Sequence, residues 1–410
     1  MSPVVAMRAS PPQRALLFFV LLFFALCVFG ALVVGERSMS LYELRHLEAK
    51  GAGFWLVQCG IALFGQNNAG YYLPFVALFG CNIVLFYALA LRILGDTDDA
   101  LLACSAFVML PASLLTGSFV GDSAVVLCGL LALLCAEAYR CHKLFLLLLF
   151  ACLWLNPGFA VVYAALCVHA FLRGNLALLF YAFALLLARI VLGLSVGGVP
   201  RGFFLDTLGT LALLFSPPLF IYYTYCLYRI CIKEPKNFLF WVSFIGILWT
   251  FFVSMRQRII LENFVPILMP GLILCVFVFL SGLRVRLRPF RKAYLRMFAV
   301  VFVALVVSFF CLVGNKFFYL FLDEPRTHFA YKFQIAKELA EALKSAGITQ
   351  VEANERLQKR LLFYGIAPIS EDTTQRCFVR LLPSPHARVF EVQYLGVVAE
   401  RFYVLCYESY

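Results

Sequence analysis

Charged residues are scarce in this chain. They make up 14% of its 410 residues, against about 25% in an ordinary soluble domain, while hydrophobic residues make up 63%. A water-soluble fold of this length cannot bury so much apolar surface, whereas a bilayer accepts apolar side chains on the outside of every helix. The composition therefore excludes a soluble globular protein and predicts a polytopic membrane protein whose membrane part is all-α.

The motifs of soluble metal and nucleotide-sugar enzymes are missing as well. The sequence contains no metal-ligand run such as HExxH and no soluble nucleotide-sugar motif. We therefore predict no specific cofactor and assign no metal ligands. The sequence is compatible with a bound divalent metal but does not identify its ligands.

The net charge of +12 is typical of nucleic-acid-binding proteins, but its distribution argues against such a partner. Residues 323–410 carry 11 basic and 11 acidic residues, so the whole basic excess lies in residues 1–322. The excess belongs to the membrane part, and we predict membrane lipids and no nucleic acid among the partners.

Long apolar runs dominate the first three quarters of the chain. About 20 apolar residues cross a bilayer as a helix, and by this measure we predict about eleven transmembrane helices. The first follows Arg8 and Arg14 and is predicted to be an uncleaved anchor, and a shorter apolar piece, 54–65, is predicted to lie in the membrane interface. The predicted spans are 15–35, 70–93, 99–117, 122–139, 143–155, 158–173, 175–195, 205–228, 237–255, 260–282 and 295–315.

The distribution of Lys and Arg predicts the orientation of these spans. With the N-terminus inside, 15 of the 23 basic residues before residue 323 fall on cytoplasmic flanks, including the cluster "LRVRLRPFRKAYLR". An odd number of spans then places the C-terminal part outside the cytoplasm. We predict a multi-pass protein of the cell (inner) membrane, with a transmembrane domain over 1–322 and a small extracytoplasmic α/β domain over 323–410.

Alternating and helical apolar patterns support the predicted C-terminal domain. "FAYKFQIAKELAEALKSAG" and "NERLQKRLLFYGI" have helical spacing, while "ITQVEA", "RCFVRLL", "RVFEVQYLG" and "RFYVLCYES" are typical of strands. Cys377 and Cys406 are predicted either to pair in an oxidising compartment or to remain free thiols, and the other cysteines act as small hydrophobic residues. His328 and His386 are predicted to be surface residues rather than ligands.

Several charges fall outside the predicted cytoplasmic flanks and are candidates for function, since charge at membrane depth normally faces a partner or a cavity. Arg189 and Asp206 are predicted to form a structural ion pair. Asp122 begins a span, so it is an N-cap, a residue that points into an external cavity, or both. The other candidates are Glu36, Glu43 and Lys50 in the first external loop, Arg201 in the loop "SVGGVPRG", and Arg256, Arg258 and Glu262 in "SMRQRIILEN".

These residue types suit a donor that is linked to a lipid phosphate. The fork of an arginine binds phosphate oxygens, and a carboxylate accepts the proton of an attacking hydroxyl. We therefore expect a lipid-linked sugar donor whose tail lies in the bilayer.

Five sequence segments resemble those of one enzyme family. Glu36 stands where the family has the first acid of an acidic pair, and "YELRHLEAKG" resembles its short helix. The other four are "GFWLVQCGIALFG", "FVGDSAVVLCGLLAL", "LWLNPGFAVVYAAL" and "RQRIILENFVPILMPG". Together they resemble the GT-C membrane glycosyltransferases, in the branch of the protein O-mannosyltransferases and the lipid A aminoarabinose transferase. The chain departs from the pattern in four respects. The first acid, Glu36, is Glu rather than Asp, Arg37 replaces the second acid, Gly51-Ala52-Gly53 replaces a Pro-Pro pair, and the first loop is short.

The resemblance implies a GT-C fold and transfer of a sugar from a polyprenyl-phosphate donor to a lipid, glycan or protein acceptor. It implies Glu36 or Glu43 as the general base and Asp122 as the residue that orients the sugar or the acceptor. Arg256, Arg258 and Arg201 then bind the donor phosphate, with Glu262, Asn156 and Lys50 in support. The alternatives are a transporter or flippase for a lipid-linked or anionic substrate, a structural assembly protein, and an inactive relative of the enzymes. The sequence shows no internal repeat of spans, which favours the enzyme over the transporter.

Overall fold

The computed structural model describes most of the chain. Two of the candidate residues, Lys50 and Arg201, lie outside its described residues, and for Glu36 and Glu262 it describes the backbone alone. The described residues are 12–48, 51–65, 67–194, 202–259, 261–322, 324–328, 330–331, 334–369 and 375–408.

Helices occupy every apolar run that the sequence predicts to cross the membrane. Up to residue 313 the described residues form sixteen α-helices, and short 3-10 turns follow α14 and α16. In chain order they are α1 (Pro12–Glu36), α2 (Leu41–Glu48), α3 (Ala52–Phe64), α4 (Asn68–Leu94), α5 (Thr97–Val108), α6 (Pro111–Ser118), α7 (Ser123–Ala138), α8 (His142–Leu155), α9 (Phe159–Leu172), α10 (Leu176–Val191), α11 (Phe204–Phe215), α12 (Pro217–Lys233), α13 (Phe238–Ser254), α14 (Leu261–Leu268), α15 (Leu272–Val285) and α16 (Arg288–Val313).

Two of the predicted spans are pairs of helices with a bend of more than 40°. The run 99–117 consists of α5 and α6 with a 66° bend, and the run 205–228 consists of α11 and α12 with a 103° bend. A proline begins the second helix of each pair, and proline disfavours the helical conformation in the residue before it. Accordingly Leu110 is extended, with ψ 129°, and Ser216 has φ 60°.

By length and apolar character, three helices among the described residues are able to cross a membrane alone, and five spans result if each bent pair counts as one. The three are α4 (Asn68–Leu94), the continuous helical run Asn263–Val285 that comprises α14, the 3-10 turn and α15, and α16 (Arg288–Val313). Six of the predicted spans correspond to shorter apolar helices, so the total of eleven stays a prediction. A polytopic membrane fold is confirmed.

Apolar side chains on the outside of these helices fit a lipid environment. Along α16, Val300, Val303 and Val307 are 64%, 58% and 54% exposed. Such a stripe is unfavourable in water and favourable against acyl chains, because every backbone polar group is already bonded within the helix.

The chain divides into two compact units. The first comprises Met1–Phe29, Gly51–Leu56 and Pro74–Phe309, and the second comprises Gly30–Lys50, Val57–Leu73 and Phe310–Tyr410. In the first unit a ladder of stacked rings joins α1, α4 and α5. Phe29 lies 4.7 Å from Phe79, and Phe107 lies 4.2 Å from Phe86, measured between ring centroids. Each ring buries a large apolar area, so the ladder is a main source of packing energy.

The C-terminal part of the second unit is the predicted α/β domain. Its helices are α17 (Ala336–Ser345) and α18 (Glu355–Phe363). Its strands β1 (Gln375–Arg380), β2 (Arg388–Tyr394) and β3 (Val397–Glu408) form an antiparallel sheet in the order β1-β3-β2. Both predicted helices and three of the predicted strands are confirmed. The segment "ITQVEA" makes only the isolated bridges Gln350 to Ala367 and Glu352 to Phe378.

A disulfide joins two strands of this sheet. Cys377 on β1 faces Cys406 on β3, and the two are bonded, with Cα atoms 4.0 Å apart. Of the two sequence expectations for these cysteines, the structure therefore shows the paired one.

The surface position predicted for His328 is wrong. Its side chain is buried and stacks on Tyr319, with ring centroids 4.2 Å apart. Ala330 donates its N–H to Nδ1 at 3.0 Å, so the ring is neutral and Nε2–H donates to the carbonyl of Asn315 at 2.9 Å. Burial lowers the pKa of His328, although the Asn315 carbonyl opposes this effect. His386 is exposed, as predicted.

A buried carboxylate ties β3 to the segment before α17. Arg326 donates two hydrogen bonds to Glu400, at 2.7 and 2.8 Å, and Tyr331 donates a third. Burial disfavours the ionised form of Glu400, but these hydrogen bonds outweigh burial and hold its pKa below the ordinary value. Because the folded-state pKa is depressed, the carboxylate stabilises the domain at neutral pH. This contribution is lost as the pH falls below about 4.3, the ordinary pKa of Glu.

We expect the substitution Glu400→Gln to loosen β3, because it removes a charged acceptor of three hydrogen bonds. The free energy of local opening should fall by about 1–3 kcal/mol, measured by hydrogen exchange of the β3 amides in the full chain. Glu391→Gln is the matched control, since Glu391 and its partner Arg401 are 34% and 58% exposed. An exposed pair contributes less than about 1 kcal/mol, so equal effects of the two substitutions would contradict the assignment.

Candidate functional site

Asp122 lies at the N-cap position of α7, as predicted, but its carboxylate does not cap that helix. Its Oδ1 atom accepts a hydrogen bond of 2.9 Å from the backbone N–H of Gly53. Gly53 is the second residue of α3, so this N–H is one of the donors that a helix leaves without an internal partner. Asp122 therefore caps α3, and its negative charge is favourable at that helix N-terminus.

Two glycines make this approach of α3 to Asp122 feasible. A Cβ atom on Gly51 would lie 2.9 Å from both carboxylate oxygens of Asp122. A Cβ atom on Gly53 would lie 3.0 Å from the carbonyl oxygen of Gly121. The Gly51-Ala52-Gly53 segment, which departs from the Pro-Pro pair of the GT-C pattern, thus has a packing reason in this chain.

Asn156 extends the contact to two further segments. Its Nδ2 atom donates to Asn263 Oδ1 at 3.0 Å and lies 3.5 Å from Asp122 Oδ2. Its Oδ1 atom accepts the N–H of Gly158 at 2.8 Å, which forms the turn between α8 and α9. The side chain is 4% exposed. Asp122, Asn156 and Asn263 form one connected polar cluster, which we call the Asp122 cluster.

Asn263, two residues after the start of α14, is not among the site residues predicted from the sequence. A buried amide within an apolar run is costly without partners, and this was the available signal. Gly158 also belongs to this contact, because a Cβ atom on it would lie 2.4 Å from the carbonyl oxygen of Asn263.

Arg256 and Arg258 lie between α13 and α14, and both are exposed. Arg258 Nε is 3.6 Å from Asp206 Oδ2, with side chains 80% and 56% exposed, so the pair contributes little to stability. Arg258 precedes Asn263 by five residues, so their Cα atoms are at most about 18 Å apart. Arg256 and Arg258 therefore lie at the same end of the helices as the Asp122 cluster.

The predicted ion pair between Arg189 and Asp206 is wrong. Arg189 is buried and donates to the carbonyl oxygens of Leu153 at 3.0 Å and Gly193 at 2.8 Å. Leu153 is in the last turn of α8 and Gly193 follows α10, so the guanidinium satisfies carbonyls that helix ends leave open. Asp206 pairs with Arg258 instead.

Glu43 belongs to the second unit and has a structural partner. Its Oε2 atom accepts the N–H and the hydroxyl of Ser40, at 2.9 and 2.8 Å, and Ser40 Oγ lies 3.3 Å from the N–H of Glu43. This is a capping box at the start of α2. The side chain is 0% exposed, and Arg37 lies 3.9 Å from Oε1.

The segment before α2 is bound to the C-terminal helices of the same unit. Arg360 Nε donates to the carbonyl of Met39 at 2.8 Å, and the N–H of Met39 donates to the hydroxyl of Tyr364 at 2.8 Å. Ser38 Oγ accepts the N–H of Lys337 at 2.8 Å. Burial lowers the pKa of Arg360, and the nearby Tyr364 and Glu43 oppose this effect. The C-terminal domain therefore holds the segment that follows Glu36.

The structure brings together two of the candidate residues directly, Asp122 and Asn156, and places Arg256 and Arg258 at the same end. Glu36 and Glu43 are in the second unit, and the side chains of Glu36 and Glu262 lie outside the described part of the structure, as do Lys50 and Arg201. Within the described residues, no group of three or more His, Cys, Asp or Glu side chains is arranged to hold a metal ion.

The chain shares its fold with two solved structures, so the predicted GT-C-like fold class is confirmed. Two solved structures of ArnT, the lipid A aminoarabinose transferase, from Cupriavidus metallidurans are similar to this chain along its length. The apo form has a TM-score of 0.58 and 12% identity, covering 95% of this chain and 98% of that chain. The form bound to undecaprenyl phosphate has a TM-score of 0.54 and 12% identity, covering 96% and 98%. No protein-family model and no curated protein sequence matches this chain.

We expect Gly51→Ala to displace the Asp122 carboxylate, because the added methyl group would lie 2.9 Å from both of its oxygens. Thermal unfolding of the purified chain in detergent should show a loss of about 1–3 kcal/mol. The control is Gly209→Ala, where a Cβ atom meets nothing within 4 Å and alanine favours the helix. A Gly51→Ala protein as stable as the Gly209→Ala protein would refute the close approach.

Proposed function

We propose that this chain is a membrane glycosyltransferase that transfers a sugar from a polyprenyl-phosphate-linked donor to a lipid, glycan or protein acceptor. The Asp122 cluster carries the proposal, because it holds a carboxylate in a fixed position at the end of the helices that also carries exposed arginines, in a chain with the ArnT fold. The solved ArnT complex with undecaprenyl phosphate supports a donor of this chemical class.

The proposed reaction is a substitution at the anomeric carbon of the sugar. The acceptor oxygen forms a bond to that carbon, and the bond from the carbon to the phosphate oxygen breaks. The polyprenyl phosphate leaves with the electron pair, and a carboxylate takes the proton of the acceptor. The phosphate is a good leaving group when cations stabilise it, so one base and a cationic clamp meet the needs of the reaction.

Glu36 is the proposed base, from its place in the GT-C sequence pattern. Glu43 suits this role less, because it is fully buried and its Oε2 atom already accepts two hydrogen bonds from Ser40. Asp122 is the proposed orienting residue for a sugar or acceptor hydroxyl. Asn156 supports Asp122 by orienting its second carboxylate oxygen. Because the carboxylate is already oriented, it does not have to reorganise during the reaction.

Arg256 and Arg258 are the proposed ligands of the donor phosphate. Their guanidinium groups are exposed and therefore accessible to a phosphate. On binding, Arg258 would lose its weak ion pair with Asp206 and gain a stronger, charge-assisted contact with the phosphate. The sequence pattern implies further roles. Arg201 is a proposed ligand of the donor phosphate, and Glu262 and Lys50 are proposed supporting residues.

Transfer is proposed to occur on the extracytoplasmic face of the cell (inner) membrane. The disulfide between Cys377 and Cys406 supports this side for the C-terminal domain, since disulfides persist in oxidising compartments. The predicted orientation agrees, because it keeps the basic cluster 284–296 inside. The domain boundary at residue 323 remains a prediction of the sequence.

We expect Asp122→Asn to lower the transfer rate by about 10²–10³-fold while the chain still folds, because the amide keeps the shape but loses the charge. Cells that lack the chain and carry each variant would be compared by mass spectrometry of their glycolipids and glycoproteins. The control is Asp98→Asn, which removes an exposed acid that pairs with Arg14 at 2.9 Å. A normal amount of product with Asp122→Asn would rule out the role of Asp122 in transfer. Unchanged sugar transfer together with a loss of lipid transport would favour the flippase as the function of the chain.

We expect the double substitution Arg256→Gln and Arg258→Gln to raise the KM for the donor at least tenfold, because each arginine contributes a charge-assisted contact to phosphate. The measurement is donor turnover in membranes at a range of donor concentrations. Lys233→Gln with Lys236→Gln removes the same number of charges from a predicted cytoplasmic flank and should leave KM unchanged. An equal KM in the two proteins removes the phosphate role.

A further inference from the structure

A large basic cavity lies in the first unit, away from the Asp122 cluster. Its volume is about 770 Å³, and it is formed by the end of α4, the turn between α7 and α8, and the turn between α9 and α10. Three arginines line it, namely Arg92, Arg140 and Arg173, together with one carboxylate, Glu137. Even with both lining histidines neutral, the cavity carries an excess of two positive charges. We call it the basic cavity.

The cavity is separate from the proposed active site. α7 begins next to Asp122 and ends at Ala138 in the cavity wall, and at 1.5 Å per residue its 16 residues extend about 24 Å. α8 independently connects His142 in the cavity wall to the residue before Asn156 over a similar distance. The two sites therefore lie at opposite ends of these helices, and in the predicted orientation the basic cavity faces the cytoplasm.

The lining is amphipathic. Besides the arginines, the lining includes the apolar side chains of Phe145, Leu166 and Leu178. Arg92 Nε donates to the carbonyl of Ala138 at 3.1 Å, which orients its guanidinium group. Guanidinium groups and apolar side chains in one cavity match a ligand that has an anionic head and an apolar chain.

The backbone of Arg140 points to a role beyond ending a helix. Arg140 has φ 59°, a left-handed conformation that costs a residue with a Cβ atom about 1 kcal/mol or more. The corresponding turn after α9 has Gly174 in this conformation, with φ 69°, where no such cost arises. In both turns the next N–H closes the helix, from Cys141 to Ala136 and from Asn175 to Ala170. The chain therefore keeps an arginine at a position that favours glycine, and its side chain lines the cavity.

We propose that the basic cavity binds a phosphate-bearing anion, and that its physiological form is the phosphate headgroup of an anionic lipid. The guanidinium groups of Arg140 and Arg173 contact the phosphate oxygens, and the apolar wall receives the start of the lipid chain. Anionic lipids concentrate at the cytoplasmic leaflet, which the predicted orientation places at this cavity. The inference is independent of the proposed glycosyltransferase activity.

Ligand-dependent stabilisation of the full chain tests this inference. The purified protein in a neutral detergent is titrated with dioctanoyl phosphatidic acid, with dioctanoyl phosphatidylcholine and with inorganic phosphate, and Tm is followed. We expect phosphatidic acid to raise Tm and phosphatidylcholine to do so far less. A shift with phosphate alone identifies the free anion as sufficient, and a shift that needs the chains identifies the lipid. Either result supports a phosphate site.

Charge substitutions then locate the site. We expect the double variant Arg140→Gln and Arg173→Gln to bind phosphatidic acid more weakly. The concentration that gives half of the maximal Tm shift should rise at least tenfold. His142→Glu places a negative charge in the cavity at the first residue of α8, where an acid favours the helix, so it tests the site even if the double variant fails to fold. The control is Arg288→Gln with Arg296→Gln, which removes two exposed charges of α16.

Three results would overturn the proposal. One is an equal shift with phosphatidylcholine, which means that no anion is recognised. Another is an equal loss in the α16 control, which means that the lipid follows overall charge. The last is unchanged binding in both cavity variants.

Discussion

The hydrogen bond from Gly53 N–H to the Asp122 carboxylate is the contact on which the rest of the proposed site depends. Near a bilayer, water is scarce and an unpaired carboxylate or helix N-terminus is costly, so each satisfies the other. The same carboxylate meets Asn156, and Asn156 meets Asn263. One charge thereby fixes the start of α3, the start of α7, the α8–α9 turn and α14. A carboxylate held by so many elements has little freedom to reorient, which is what catalysis by preorganised charge requires.

Positive charge is arranged differently at the two ends of these helices. Arg256 and Arg258, at the end of the Asp122 cluster, are exposed, and Arg258 has a weak acidic partner in Asp206. At the other end, Arg92, Arg140 and Arg173 surround a cavity with one carboxylate. Both ends suit phosphate chemistry, but in separate places at the two ends of α7, which is about 24 Å long. A lipid-linked donor and a bound lipid would thus occupy different sites of one protein.

The segment before α2 shows how a candidate residue can have a structural role that its position in the sequence does not reveal. Ser40 and Glu43 have the spacing of a capping box, so the sequence contained the signal, but the catalytic reading also fitted an acid in this loop. Burial favours the structural role, because the side chain of Glu43 is fully buried and accepts hydrogen bonds from Ser40. Arg360 and Tyr364 bind the backbone at Met39 from more than 300 residues away, and no local pattern predicts such contacts.

The sequence by itself determined the membrane character, the helix positions, the C-terminal sheet and the need of Asp122 and Asn156 for polar partners. These follow from local properties, namely apolar run length, strand alternation and the cost of polar groups within apolar runs. Only the tertiary structure decided that Asp122 caps α3, that Arg189 binds carbonyls rather than Asp206, that His328 is buried and that α11 and α12 meet at 103°. Each of these depends on which helix ends meet in space, and partners distant in sequence are chosen by packing rather than by local preference.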